Sequence, residues 1–229
     1  MRFRKPHVVA AILVVAGAVA GTLVSLSIAA PSASDKQQDI ITKLLVPSTE
    51  NAPVLGSRDA KITLVEFGDY RCMHCAKFNS EVKDRLISDY VDSGKVRFLF
   101  KDFPVNDTPD DQSSAYAAEA SYCAAEQGKY WEYHDKVFRS YDFENNVNIL
   151  TPARLQEFAA DIKVPDINGF SKCLESRRYT DVVEQNQDLA VKLGLKGTPS
   201  FIVISENKDP VVIAGSQPYE VFQKVLDGL

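Results

Sequence analysis

The stretch Lys61–Phe78, KITLVEFGDYRCMHCAKF, constrains the fold more than any other part of the chain. Its first seven residues are apolar and β-branched and read as a buried strand. Cys72-Met73-His74-Cys75 follows within a few residues. CAKFNSEVKDRLISDYV then places Phe78, Val82, Leu86 and Val91 close to helical spacing. Strand, cysteine pair and helix in direct succession put Cys72 at a helix N-terminus, its sulfur near unpaired backbone N–H groups. Cys75 lies three residues on, on the same face one turn later, close enough to bond to it.

The remaining elements extend this beginning. KVRFLFKDFPV (Lys95–Val105) reads as a second strand ending at Pro104. Four helical stretches follow, the last with Tyr179, Val183, Asn186, Ala190 and Leu193 along one face and Gly194 as its stop. PSFIVIS, PVVIAG and PYEVFQKVLDGL then give strand, strand and helix. The order predicts an α/β sheet with a helical insertion near residues 106–195, inside a folded domain over 58–229. A chain of 229 residues is long enough to bury a sizeable core. Residues 31–57 read as a spacer whose apolar patch DIITKLLV packs partly on the domain.

The N-terminus concerns location. A basic flank, residues 1–7, precedes an uncharged apolar run of 23 residues over 8–30. That run matches the roughly 30 Å hydrocarbon core of a bilayer. Its length suits a single-pass anchor, and its Ala/Ser-rich exit suits a cleaved signal peptide that would leave a secreted or periplasmic protein. In either case the basic flank stays inside and the remainder goes outside the cytoplasm. Gly17 and Gly21 are the ordinary small residues of such a helix. The net charge is −5, and Arg2, Arg4 and Lys5 leave −8 on the rest, a poor match for nucleic acid. Export allows disulfides to persist, so the four cysteines read as pairs.

What can C-M-H-C do? A c-type haem needs histidine after the second cysteine, where this chain has Ala76. Structural zinc needs four ligands, and Cys123 and Cys173 stand far apart with few histidines to help. Cu(I) suits Cys, Met and His together, which leaves a copper-handling binding protein as an alternative. The redox reading has a mechanical basis: Cys72 exchanges with a partner sulfur, a mixed disulfide forms, and Cys75 resolves it. Holding a thiol about three pH units below its usual range needs about 4 kcal/mol. A helix dipole supplies at most about 2 kcal/mol. Backbone donors and His74 must supply the rest, so His74 is expected to tune the potential.

Three segments in this order resemble the DsbA-like branch of the thioredoxin superfamily. VEFGDYRCMHCAKF is similar to its strand and active site, AAEASYCAAEQGKYWEYHDKVF to its helical-domain signature, and LGLKGTPSFIV to its cis-proline loop. The resemblance runs from about Ala52 to Leu229. It implies a thioredoxin fold with an inserted α-helical domain and thiol-disulfide oxidoreductase activity without a bound cofactor. Cys72 would be the exposed nucleophile, Cys75 the buried resolving thiol, and Thr198-Pro199 a cis loop facing the pair. Such a loop would let the Thr198 backbone pair with a substrate strand. Glu66 would be the buried acid that exchanges a proton with Cys75, and Lys101, on the neighbouring strand, could neutralise it. Met73 stands where many strongly oxidising members have proline, which bears on the potential. The implied clients are exported cysteine-containing polypeptides, and the implied re-oxidant is a membrane oxidase of the DsbB or VKOR type. The same fold run as a reductase or isomerase is the alternative direction.

Cys123 and Cys173 read as a structural disulfide within the helical block, with two free buried thiols or a second redox relay as alternatives. Tyr130, Trp131, His134 and Phe138 read as core, and the NDT sequon at Asn106 as chance.

Overall fold

The computed structural model describes residues 33–50, 52, 54–206 and 208–229. The apolar run at 8–30 lies outside the described residues. Among those described, no helix is long and apolar enough to cross a membrane.

A mixed four-stranded sheet of order β2-β1-β3-β4 forms the centre, from β1 (Ile62–Gly68), β2 (Val96–Asp102), β3 (Ser200–Ser205) and β4 (Lys208–Ala214). β1 is parallel to β2 and antiparallel to β3, and β3 is antiparallel to β4. A parallel neighbour requires a crossover, and the helical run after β1 provides it. That run starts as α2 (Met73–Phe78), passes through a wider π-type turn at Asn79–Lys83 and the short α3 (Asp84–Leu86), and ends in a second π-type turn at Ile87–Val91. Five helices separate β2 from β3: α4 (Ser113–Ala125), α5 (Tyr130–Arg139), α6 (Pro152–Asp161), α7 (Ile167–Glu175) and α8 (Thr180–Lys192). α9 (Tyr219–Asp227) closes the chain.

Every residue of β1 is buried, so alternation along it sorts side chains onto two covered faces. Ile62 and Leu64 pack with Phe78, Val82, Phe98, Phe201 and Phe222. Val65 and Phe67 pack with Leu99, Ile202 and Leu189 on the other side. The apolar patch DIITKLLV does pack on the domain, and the segment around it is helical rather than a spacer: α1 (Ala33–Leu45) carries Leu44, only 2% exposed, onto that second face. The apolar residues of DIITKLLV recur at helical spacing, and the sheet offered a face that α8 covers only in part.

Candidate active site

The site begins at the turn after β1. The Asp69 carboxylate accepts from the Arg71 N–H (2.7 Å), and Asp69 O accepts from the Cys72 N–H (2.9 Å), which closes the turn. The other Asp69 oxygen takes the backbone and side-chain N–H groups of Asn106, fixing the turn to the loop beyond β2. Cys72 is therefore the extended N-cap of α2, and its carbonyl accepts the Ala76 N–H at 3.1 Å. Cys75 comes round one turn later, fully buried, and the two cysteines are free thiols here. The expectation of an exposed Cys72 is corrected: it is only 9% exposed. Thr198 lies over it, with its carbonyl accepting from the Cys72 S–H at 3.3 Å. The Thr198–Pro199 peptide is cis.

The two sulfurs are electrostatically unlike. The Cys72 thiol is brought down to about 6, chiefly by the Cys75 thiol donating to it. Burial works against this, and the Thr198 hydroxyl and the backbone N–H groups of Cys75 and His74 reinforce it. That hydroxyl is buried and has no other partner among the described residues. Burial pushes Cys75 well above the usual thiol range, with the neighbouring Cys72 and Glu66 adding to it. The pair is thus one acidic sulfur held by one neutral thiol. His74 is exposed, and what acts on the sulfur is its backbone N–H. Met73 is half-buried against the helical domain.

Glu66 sits behind the pair, 1% exposed, its Oε1 without a hydrogen-bond partner among the described residues. Burial raises it well above the carboxylate range. Gly68 makes the room: a Cβ there would lie 2.4 Å from Phe100 and 3.2 Å from Glu66 Oε1.

The part expected of Lys101 falls to another residue. Glu66 pairs in register with Phe100, so Lys101, one residue on, points to the opposite face of the sheet. Its ammonium donates to the Val46 carbonyl (3.0 Å) and lines a cavity of about 670 Å3 between α1 and α8. The cation that opposes the burial of Glu66 is Lys83, from the first π-type turn. Its Nζ donates to Asp135 Oδ1 on α5, which also accepts from Asn79 (3.1 Å) and lies 3.0 Å from His134 Nδ1. Asp69, Lys83 and Asp135 were not singled out from the sequence. Only the turn-forming GDY before the cysteines hinted at Asp69.

Among the described residues no group of three or more His, Cys, Asp or Glu is arranged to hold a metal ion. Cys123 and Cys173 are disulfide-bonded, with Cα atoms 5.8 Å apart, and join α4 to α7.

The family model described as Thioredoxin matches residues 48–228. Disulfide bond formation protein D of Bacillus subtilis is 31% identical over 69% of each chain. The chain belongs to the thioredoxin family, in its DsbA-like branch. The oxidised crystal structure of BdbD from Bacillus subtilis superposes with a TM-score of 0.68 at 28% identity, covering 80% of this chain and 94% of that one. Wolbachia pipientis alpha-DsbA1 gives 0.66 at 27% identity, covering 82% and 94%. This DsbA-like chain is accordingly a thiol-disulfide oxidoreductase.

Proposed function

We propose that this DsbA-like protein works outside the cytoplasm as an oxidase that gives its Cys72–Cys75 disulfide to exported, cysteine-containing polypeptides. The observation that carries the direction is the acidity split between the two sulfurs. A Cys72 thiolate capped by the Cys75 thiol, the Thr198 hydroxyl and two backbone donors stabilises the reduced enzyme, and a stabilised reduced form makes the disulfide a stronger oxidant.

A client thiolate attacks the Cys72 sulfur, the Cys72–Cys75 bond breaks, and Cys75 leaves with the electron pair. Glu66, whose carboxyl burial raises well above the usual carboxylate range, would supply the proton. A second client thiolate then attacks the client sulfur of the mixed disulfide and releases Cys72 as thiolate. The client loses two electrons and the enzyme gains them. A membrane oxidase of the DsbB or VKOR type would take them away again. Residues 8–30 would keep the protein at the membrane as a single-pass anchor, with the folded remainder of the chain outside.

The test is refolding of a reduced, cysteine-containing protein with a stoichiometric amount of the oxidised enzyme. Disulfides appearing in the client, with two thiols appearing in the enzyme, support the oxidase. No transfer, with insulin reduction in its place, would turn the proposal into a reductase.

A further inference from the structure

Lys83 is a buried cation that the exchange steps above leave unused. Its side chain is only 4% exposed, on the π-type turn Asn79–Lys83, where widening of the helix brings it inward. A lysine is almost never buried so fully unless it is paired. Two acids compete for it. Asp135 Oδ1, from the inserted helical domain, accepts its hydrogen bond, while Glu66 of β1 feels its charge but has Oε1 unbonded. Asp135 is held by Asn79 from the helix after the cysteines and sits against His134, and Arg139 lies 3.9 Å away at the surface.

The groups acting on Glu66 are Cys72 and Cys75 from the start of α2, Lys83 from its continuation, and Tyr130 and Asp135 from α5, with His134 behind them against Asp135. β2 places Phe100 beside Glu66 in register, and its ring lies against Gly68. Burial pushes His134 down to about 4, so it stays neutral near pH 7, and among the described residues Lys83 is the cation that acts on Glu66.

We propose that Lys83, tethered by Asp135 across the domain boundary, is a positioning residue for thiol exchange, setting how readily Glu66 accepts the Cys75 proton and returns it. This rests on the oxidoreductase reading above. When Cys75 attacks a mixed disulfide on Cys72, its proton must go to an ionised Glu66, and a nearby cation favours that ionised form. Lys83 pulls towards it, and Asp135 restrains the pull by sharing the same ammonium. Substitutions on the two partners should therefore move the pH profile of this one step in opposite directions.

The experiment uses the full chain with glutathione joined to Cys72 as a mixed disulfide. The release of glutathione as Cys75 attacks is followed from acid to alkaline pH. In that step the new Cys72–Cys75 bond forms and the Cys72–glutathione bond breaks. Glutathione leaves as thiolate, and the Cys75 proton passes to Glu66. Lys83→Met should move the midpoint of the profile up by about one to three pH units. Asp135→Asn should move it down by a smaller amount, and Lys83→Arg should restore most of the wild-type profile. In a Glu66→Gln background Lys83→Met should have no further effect, since the group it acts through is gone. Thermal unfolding of each variant separates loss of fold from a shift of profile. Profiles that coincide, that shift in the same direction, or that still move in the Glu66→Gln background would overturn the role of Lys83. A wild-type mixed disulfide that never releases glutathione would overturn the exchange reading as well.

Discussion

The two cysteine pairs sit in opposite surroundings. Cys123 and Cys173 are fully buried among the alanine, tyrosine and phenylalanine side chains of the helical domain, and they bridge two helices separated by 50 positions. Cys72 and Cys75 lie in a turn at the end of a strand, where one sulfur meets several donors and burial outweighs the one backbone donor of the other. The first pair joins α4 to α7, and the second, on the function proposed above, is the pair that is made and broken. Burial alone does not separate them, since Cys72 is only 9% exposed. What differs is the asymmetry of the donors around the two sulfurs.

The sharpest break in that comparison is to remove one sulfur from each pair. Cys72→Ser should abolish disulfide transfer to a reduced polypeptide, a loss of roughly 10³-fold or more. Cys75→Ala should instead accumulate the mixed disulfide, visible as an adduct on a non-reducing gel. Cys123→Ala with Cys173→Ala should leave transfer within about threefold. In exchange, that double variant should lose about 4 kcal/mol of stability on the loop-entropy argument, read as a lower guanidinium midpoint. A stable double variant that transfers poorly would make the second pair a relay and erase the contrast.

The next prediction concerns pH. The ultraviolet absorbance of thiolate in the reduced protein should titrate with a midpoint near pH 6, from Cys72 alone. Because the folded state lowers this thiol, the reduced form gains stability that is fully present above the unfolded thiol's range. That gain is lost as pH falls through about 6. Its full size is about 4 kcal/mol, so unfolding of the reduced protein at pH 5 and at pH 9 should differ clearly, and the oxidised protein should lack this term. A Cys72 that ionises like free cysteine removes the basis for an oxidising direction.

The smallest effect is expected at His74. Its side chain is exposed while its backbone N–H bonds the sulfur. His74→Ala should make the reduced form less favoured by about tenfold or less in equilibrium with glutathione, about 1 kcal/mol. An unchanged equilibrium would assign the tuning to the backbone alone.

Much of this was legible in the residues. The strand before Cys72, the helix after it and the strand order all carry local periodicity, and the cysteine spacing puts both sulfurs on one helical turn. Lys101 illustrates what was not legible. It lies on the strand beside Glu66 and carries the right charge, yet a shift of one residue along a pleated strand sends a side chain to the opposite face. Lys83 was hidden for a related reason. A regular helix gives no sign of the wider turn that buries it, and its partner Asp135 is 52 positions away. The helix Ala33–Leu45 is not legible beyond the apolar patch DIITKLLV, because a short amphipathic segment declares its structure only when a face is available to cover.

By itself the sequence determined the main strands and helices and the pairing of two cysteines on one helical turn, because each depends on neighbours within a few positions of the chain. Only the tertiary structure decided which cation faces Glu66, which carbonyl and hydroxyl cover Cys72, and that Cys123 meets Cys173. Those choices bring together groups tens of residues apart. Packing of the sheet against the inserted helices selects among them, and no local pattern records that selection.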